Sequence, residues 1–144
     1  MHYLRVRYAD CDAQQVVFNG KYAEYVDVAA TEFVRHVFGG YERMLELGFD
    51  NQVVNLTLNW RAPSRFDDVL AIMVSVGKVG RTSYTLNMEF FVHGQEGSSI
   101  ADAQITYVMV DPIKFNKIEI PDSMKLELEA AGRGMVSNHS GLIL

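Results

Sequence analysis

The sequence predicts an α+β domain in which an antiparallel sheet of about five strands wraps around one long buried helix. Two observations carry that prediction. Residues 19 to 38 hold apolar side chains at helical spacing, with Tyr22, Val26, Ala29, Phe33 and Val37 at offsets of four, three, four and four. Val28, Ala30 and Val34 lie off that face and are apolar too, which marks a helix that is buried and not merely docked on a surface. From residue 54 onward the period changes to two, and four segments alternate apolar and polar positions as antiparallel strands over a one-sided core do.

The elements follow in order. Residues 2 to 8 alternate and read as a first strand. A polar turn over 9 to 15 leads through Val16-Val17-Phe18 to Asn19, a favoured N-cap residue, so the helix is expected to open near position 19. Gly39-Gly40 stops it, and Tyr41 to Leu47 make a short second helix. The next strand has Val54, Leu56, Leu58 and Trp60 on its apolar face. Leu70 to Val76, Tyr84 to Val92 and Ala101 to Met109 repeat the pattern, with turn-forming connectors between them. Pro121-Asp122 opens a last helix that Gly132 is expected to close. The expected organisation is one domain over residues 1 to 132 and a C-terminal tail over 133 to 144. The free face and edges of such a sheet must be covered or shared, which points to a homo-oligomer.

Composition narrows the function. At 144 residues, 49 % hydrophobic and 22 % charged, the chain has the make-up of a globular protein. A net charge of −5 speaks against a nucleic-acid binder, which normally shows a basic surface. The single cysteine, Cys11, permits no internal disulfide and no cysteine-based zinc site. The N-terminal segment lacks the apolar run of a signal peptide, and no run approaches a membrane span, so a cytoplasmic protein is expected. His2, His36, His93 and His139 are scattered without metal-ligand spacing, and no metal site is expected.

Chemistry is concentrated at Asp10-Cys11-Asp12, ahead of the helix. One reading is an acidic turn, since aspartate bonds its own backbone in loops and favours helix starts electrostatically. The other starts from the free N–H groups of the helix N-terminus, which carry roughly +0.5 of a charge and suit a developing oxyanion. A carboxylate held ionised beside them is fitted to act as nucleophile or base. The physics permits carbonyl chemistry and names no substrate.

Arg7-Tyr8-Ala-Asp10-Cys-Asp12-Ala, followed by Val16-Val17-Phe18-Asn19 and by Tyr22 and Tyr25, resembles the signature of hot-dog-fold acyl-CoA thioesterases of the 4-hydroxybenzoyl-CoA thioesterase type, including the YbgC-like branch. Trp60-Arg-Ala-Pro63-Ser-Arg-Phe-Asp67-Asp68 is similar to a second motif of that family, and strand order and spacing agree to about residue 112. The resemblance implies hydrolysis of an acyl-CoA or acyl-carrier-protein thioester without a cofactor. It places catalysis on Asp12, as nucleophile or general base, with the Asn19 backbone N–H polarising the carbonyl oxygen. Asp10 would support the turn, and Cys11 would be filler. Val17, Phe18, Tyr22, Tyr25 and Trp60 are the implied acyl-pocket residues. Arg61 and Arg65, with Lys78 and Arg81, are candidate phosphate contacts. The family works as dimers or dimers of dimers with pockets at subunit interfaces. This chain departs from the pattern at Gln15, where many relatives have glycine, and at Asn19, where the YbgC-like branch often has histidine. A hydratase on the same fold would want a histidine in the turn, which is absent. A non-catalytic acyl-CoA-binding or interaction module is the remaining alternative.

Overall fold

The computed structural model describes residues 1–131 and 134–144. Strand β1 (His2–Arg5) is followed by a single 3-10 turn at Tyr8–Asp10, then helix α1 (Lys21–Phe38) and the short α2 (Tyr41–Glu46). Strands β2 (Asp50–Trp60), β3 (Val69–Val79), β4 (Ser83–Val92) and β5 (Ala101–Val110) come next. Helix α3 (Asp122–Ala130) and strand β6 (Ser137–His139) close the chain. The six strands form one sheet in the order β2-β5-β4-β3-β1-β6. All pairings are antiparallel except β1 with β6. The sheet thus agrees with the expected antiparallel sheet of about five strands and adds β6, which lies in the part of the chain read from sequence as a C-terminal tail. The expected helix stop at Gly132, and the tail boundary there, lie outside the described residues.

Helix α1 is buried as its apolar spacing requires. Tyr22, Tyr25, Val26, Ala29, Ala30, Phe33, Val34 and Phe38 are inaccessible, and Val28 and Val37 are half-buried. They meet the alternate residues of the central strands, among them Leu70, Ile72, Leu86, Met88, Phe90, Ala103 and Ile105. Gly39 ends the helix in the left-handed conformation, with φ 81°, its N–H bonding Arg35 O.

Two expectations change. The helix opens at Lys21 with Gly20 as its cap, and Asn19 makes no side-chain capping bond. Strand β2 also lacks the one-sided burial its pattern suggests. A bulge at Val54 breaks the register with β5, so Val53 sits opposite Tyr107 and Leu56 opposite Ile105. Val54 is thereby moved off the face that carries Leu56, Leu58 and Trp60. That face points to the helix side of the sheet, yet β2 is an edge strand. Val53, Val54, Leu56 and Trp60 remain exposed, while Ile105 opposite Leu56 is buried. Among the described residues no helix is long and apolar enough to cross a membrane, and no three His, Cys, Asp or Glu side chains group as metal ligands.

Candidate active site

The turn ahead of α1 is a small hairpin sewn to its surroundings by the backbone. Cys11 pairs with Val17 as an antiparallel bridge. The Asp12 N–H donates to Val16 O at 3.0 Å, Gln15 N–H to Asp12 O at 2.9 Å and Phe18 N–H to Asp10 O at 2.9 Å. A further bond, Val17 N–H to Ser64 O at 2.8 Å, ties the turn to the β2–β3 connector. Ser64 is fully buried, and its hydroxyl meets the Tyr22 hydroxyl at 2.9 Å. Gln15 sits at the tip with φ 63°, a left-handed conformation that explains why glycine suits this position.

The two aspartates have different environments. Asp10 is only 1 % exposed. Its Oδ2 accepts the Arg7 backbone N–H at 3.0 Å and the Tyr25 hydroxyl at 2.8 Å, and its Oδ1 accepts Arg7 Nη2 at 2.9 Å. Lys21 Nζ stands 3.8 Å away. Burial alone would push this carboxyl up, but the Arg7 and Tyr25 donors outweigh it and hold the group below the usual carboxylate range. Tyr25 pays the complementary cost: burial, then its bond to Asp10, raises its hydroxyl well above the ordinary tyrosine value. Asp12, by contrast, is half-buried. Among the described residues its carboxylate accepts one bond, from the Gln14 N–H to Oδ1 at 2.8 Å, and Oδ2 accepts none.

The start of α1 supplies the second component. Lys21, Tyr22 and Ala23 donate their N–H groups three residues back, to Phe18, Asn19 and Gly20. Among the described residues the N–H groups of Asn19 and Gly20 meet no acceptor. The helix body is buried but this first turn is open, with Phe18, Asn19 and Gly20 exposed in the single chain.

Two clefts flank the hairpin. One, of about 240 Å³, is lined by Val16, Val17, Asn19, Tyr22, Trp60, Arg61, Ala62 and Pro63. It gathers five of the residues expected at the site: Val17, Asn19, Tyr22, Trp60 and Arg61. The other, of about 330 Å³, is lined by Tyr8, Cys11, Asp12, Gln15 and Phe66. Phe18 lines neither cleft and is exposed, and Tyr25 lies in the core beneath the turn. Of the basic candidates, Arg61 is paired with Asp102 and Arg81 with Glu119. Arg65 and Lys78 are exposed and make no ion pair among the described residues. No histidine lines either cleft.

Comparison with known proteins bears directly on this arrangement. The family model of the thioesterase superfamily matches residues 14–98, which spans the helix start, α1 and the Trp60-to-Asp68 connector. The chain belongs to the thioesterase superfamily. It is 28 % identical over 126 residues to the acyl-CoA thioester hydrolase YbgC of Escherichia coli O6:H1, covering 88 % of this chain and 92 % of that one. It is 27 % identical over 130 residues to the long-chain acyl-CoA thioesterase FadM of Escherichia coli K12, covering 88 % and 94 %. The crystal structure of a hypothetical protein from Aquifex aeolicus superposes with a TM-score of 0.78 at 25 % identity, covering 88 % of this chain and 96 % of the other. The sheet wrapped on α1 is thus the hot-dog fold. Ser64 and the anchoring role of Tyr25 were not assigned from sequence; the second motif contains the serine but gives no sign that it braces the first.

Proposed function

We propose that this thioesterase-superfamily member hydrolyses an acyl-CoA or acyl-carrier-protein thioester with Asp12 as its reacting carboxylate. The observation that carries the reading is the contrast within the Asp-x-Asp pair. Asp10 is enclosed and engaged by donors, whereas Asp12 keeps an oxygen without a donor on one of the two clefts that flank the hairpin, and the unbonded Asn19 N–H belongs to a residue lining the other. A thioester carbonyl seated between them meets a carboxylate at carbon and N–H donors at oxygen.

Two balanced routes use that geometry. As nucleophile, an Asp12 oxygen bonds the carbonyl carbon, the C–S bond breaks, the thiolate leaves and takes a proton from solvent, and water then cleaves the acyl–aspartate anhydride. As general base, Asp12 takes a proton from water while the hydroxide adds to the carbonyl, and collapse expels the same thiolate. In both, the Asn19 N–H stabilises the oxyanion, and the buried carboxylate of Asp10 keeps the turn in place. The bond from the Gln14 N–H orients the Asp12 carboxylate.

The site in one chain is open at the helix start, and the adjacent edge strand β2 exposes Val53, Val54, Leu56 and Trp60. An eleven-residue edge strand that leaves these four apolar side chains exposed invites pairing with another strand. A second copy of the chain is the proposed cover, giving a homodimer or a dimer of dimers that shields the reacting carbonyl from bulk water. Arg65 and Lys78, unpaired and exposed, are the stronger proposed contacts for the phosphates of coenzyme A. The proposed place of action is the cytoplasm, where a lone thiol such as Cys11 stays reduced.

The test is thiol release from a panel of acyl-CoAs by wild type and Asp12→Asn. Turnover should fall by a factor on the order of 10³ or more with the fold intact. Near-normal turnover in the variant would refute the role of Asp12, and tight binding without turnover in the wild type would favour the non-catalytic module.

A further inference from the structure

We propose that Arg5, which lines neither cleft, is a positioning residue for Asp12, acting through Asp67 on the connector that braces the hairpin. The inference rests on the thioester reading above and adds a residue that sets where the reacting carboxylate stands.

Arg5 is the last residue of β1, with β3 on one side of that strand and β6 on the other. Its side chain reaches toward both neighbours. Nε donates to Ser140 O, just past β6, at 2.9 Å. Nη1 donates to Asp67 O at 3.2 Å and to Asp67 Oδ1 at 3.1 Å, two residues ahead of β3. The Ser140 contact fixes the plane of the guanidinium and Nη1 then meets Asp67 twice, a geometry that lysine does not copy. Arg5 and Asp67 are 36 % and 63 % exposed, so their ion pair adds little to global stability. What it holds matters more.

Asp67 has φ 72°, in the left-handed region, where a residue with a Cβ stays only if its surroundings hold it. Among the described residues Arg5 alone donates to its carboxylate. The backbone around Asp67 is closed on itself and on β1. Asp67 N–H donates to Val6 O at 3.1 Å, Val6 N–H to Asp68 O at 2.9 Å, and Asp68 N–H to Arg65 O at 3.1 Å. Asp68 Oδ2 accepts the Arg65 N–H at 2.8 Å. A connector tied this closely moves as one piece, so a rotation of Asp67 out of the left-handed region carries Ser64 with it. Ser64 O is the acceptor for Val17, and Val17 pairs with Cys11 beside Asp12. A misplacement of about 1 Å at a reacting group costs on the order of 10²-fold in rate, so even a partial loosening reaches kcat.

The experiment follows amide hydrogen exchange by NMR, and thiol release from acetyl-, benzoyl- and palmitoyl-CoA, in wild type, Arg5→Met, Asp67→Gly and the double variant. Methionine keeps an apolar stem at position 5 and removes the guanidinium. In Arg5→Met the Val17 N–H should exchange about tenfold faster while core-strand amides such as that of Leu86 are unchanged, the mark of a local opening. Over the same change kcat should fall about tenfold with KM within about twofold of wild type. Glycine adopts φ 72° without being held, so Asp67→Gly should stay near wild type, and the double variant should recover both the protection of Val17 and kcat. Unchanged exchange at Val17, or Leu86 speeding up equally, would overturn the proposal. So would a rise in KM at unchanged kcat, or a double variant no better than Arg5→Met. Should wild type hydrolyse none of the three substrates, the thioester reading fails on its own, and exchange at Val17 still decides whether Arg5 holds the turn.

Discussion

Replacing Asp10 by asparagine and, separately, Asp12 by asparagine should produce opposite phenotypes. In Asp10→Asn the amide oxygen can stay at the Oδ2 position and keep the Arg7 N–H and Tyr25 bonds. Its NH2 then replaces the oxygen that faces Arg7 Nη2 at 2.9 Å and Lys21 Nζ at 3.8 Å. Donors are set against donors at a side chain only 1 % exposed. A hydrogen bond to a charged group is worth about 1.5–3 kcal/mol. The Arg7 guanidinium is itself 68 % exposed, so solvent screens its share and the lower part of that range applies. Adding the loss of charge on the two retained bonds gives about 2–3 kcal/mol overall. At about 2–4 °C per kcal/mol for a chain near this length, melting should fall by about 4–12 °C. Asp12→Asn keeps its one internal bond, from the Gln14 N–H, because an asparagine oxygen accepts it equally well. Its stability should stay within about 0.5 kcal/mol of wild type. Calorimetric melting and thiol release, measured on both proteins, separate the two roles. A stable, inactive Asp10→Asn beside an active or unstable Asp12→Asn would show that the roles of the pair are reversed.

Three further outcomes are expected. Gln15→Gly should raise the unfolding free energy by about 0.5–1 kcal/mol, read as a higher urea midpoint at unchanged m, because the left-handed strain it removes exceeds the added flexibility of the unfolded chain; a loss would show that the glutamine side chain holds the turn. His2, fully buried with Nδ1 on the Ser137 hydroxyl at 2.7 Å and packed against His139, is lowered to about 4, mainly by burial and then by His139. Unfolded His2 takes up its proton near 6.5, so stability is lost as pH falls from there toward 4, by about 2–3 kcal/mol, and His2→Phe should flatten that part of the wild-type urea profile; an equal slope in both proteins would remove His2 from the account. Leu56→Lys with Val53→Lys, placing charge on the exposed edge strand, should shift the solution mass measured by light scattering from two or four chains to one, and a single-chain mass for the wild type would reject the shared edge.

The sequence was most legible where one period ran unbroken. The 3.6-residue spacing from Tyr22 to Phe38 and the two-residue alternation of β3, β4 and β5 gave those elements directly, because each buries one continuous face. Strand β2 has the same alternation, but its fate depends on its place at the sheet edge and on the bulge at Val54, and both are set by register with β5. Strand β6 has only three residues and gains its order from parallel pairing with β1, a contact between opposite ends of the chain that no local pattern signals. At the site, local spacing identified the Asp-x-Asp turn and its place ahead of the helix. It did not separate the two carboxylates, since their difference comes from Tyr25 and from the direction each side chain takes. Ser64 escaped notice for the same reason: its contacts with Val17 and Tyr22 span more than forty residues.

The bond from Val17 to Ser64, with the three backbone bonds inside the hairpin, has a consequence for how such a protein changes over time. All four use main-chain atoms, which any residue other than proline supplies on the donor side. Drift in the side chains that line the clefts, such as Tyr8, Phe66 and Trp60, therefore leaves the path of the turn and the position of the Asp12 carboxylate where they are. Substrate range is free to diverge among descendants while the chemistry stays inherited, because recognition is written in side chains and placement in the backbone.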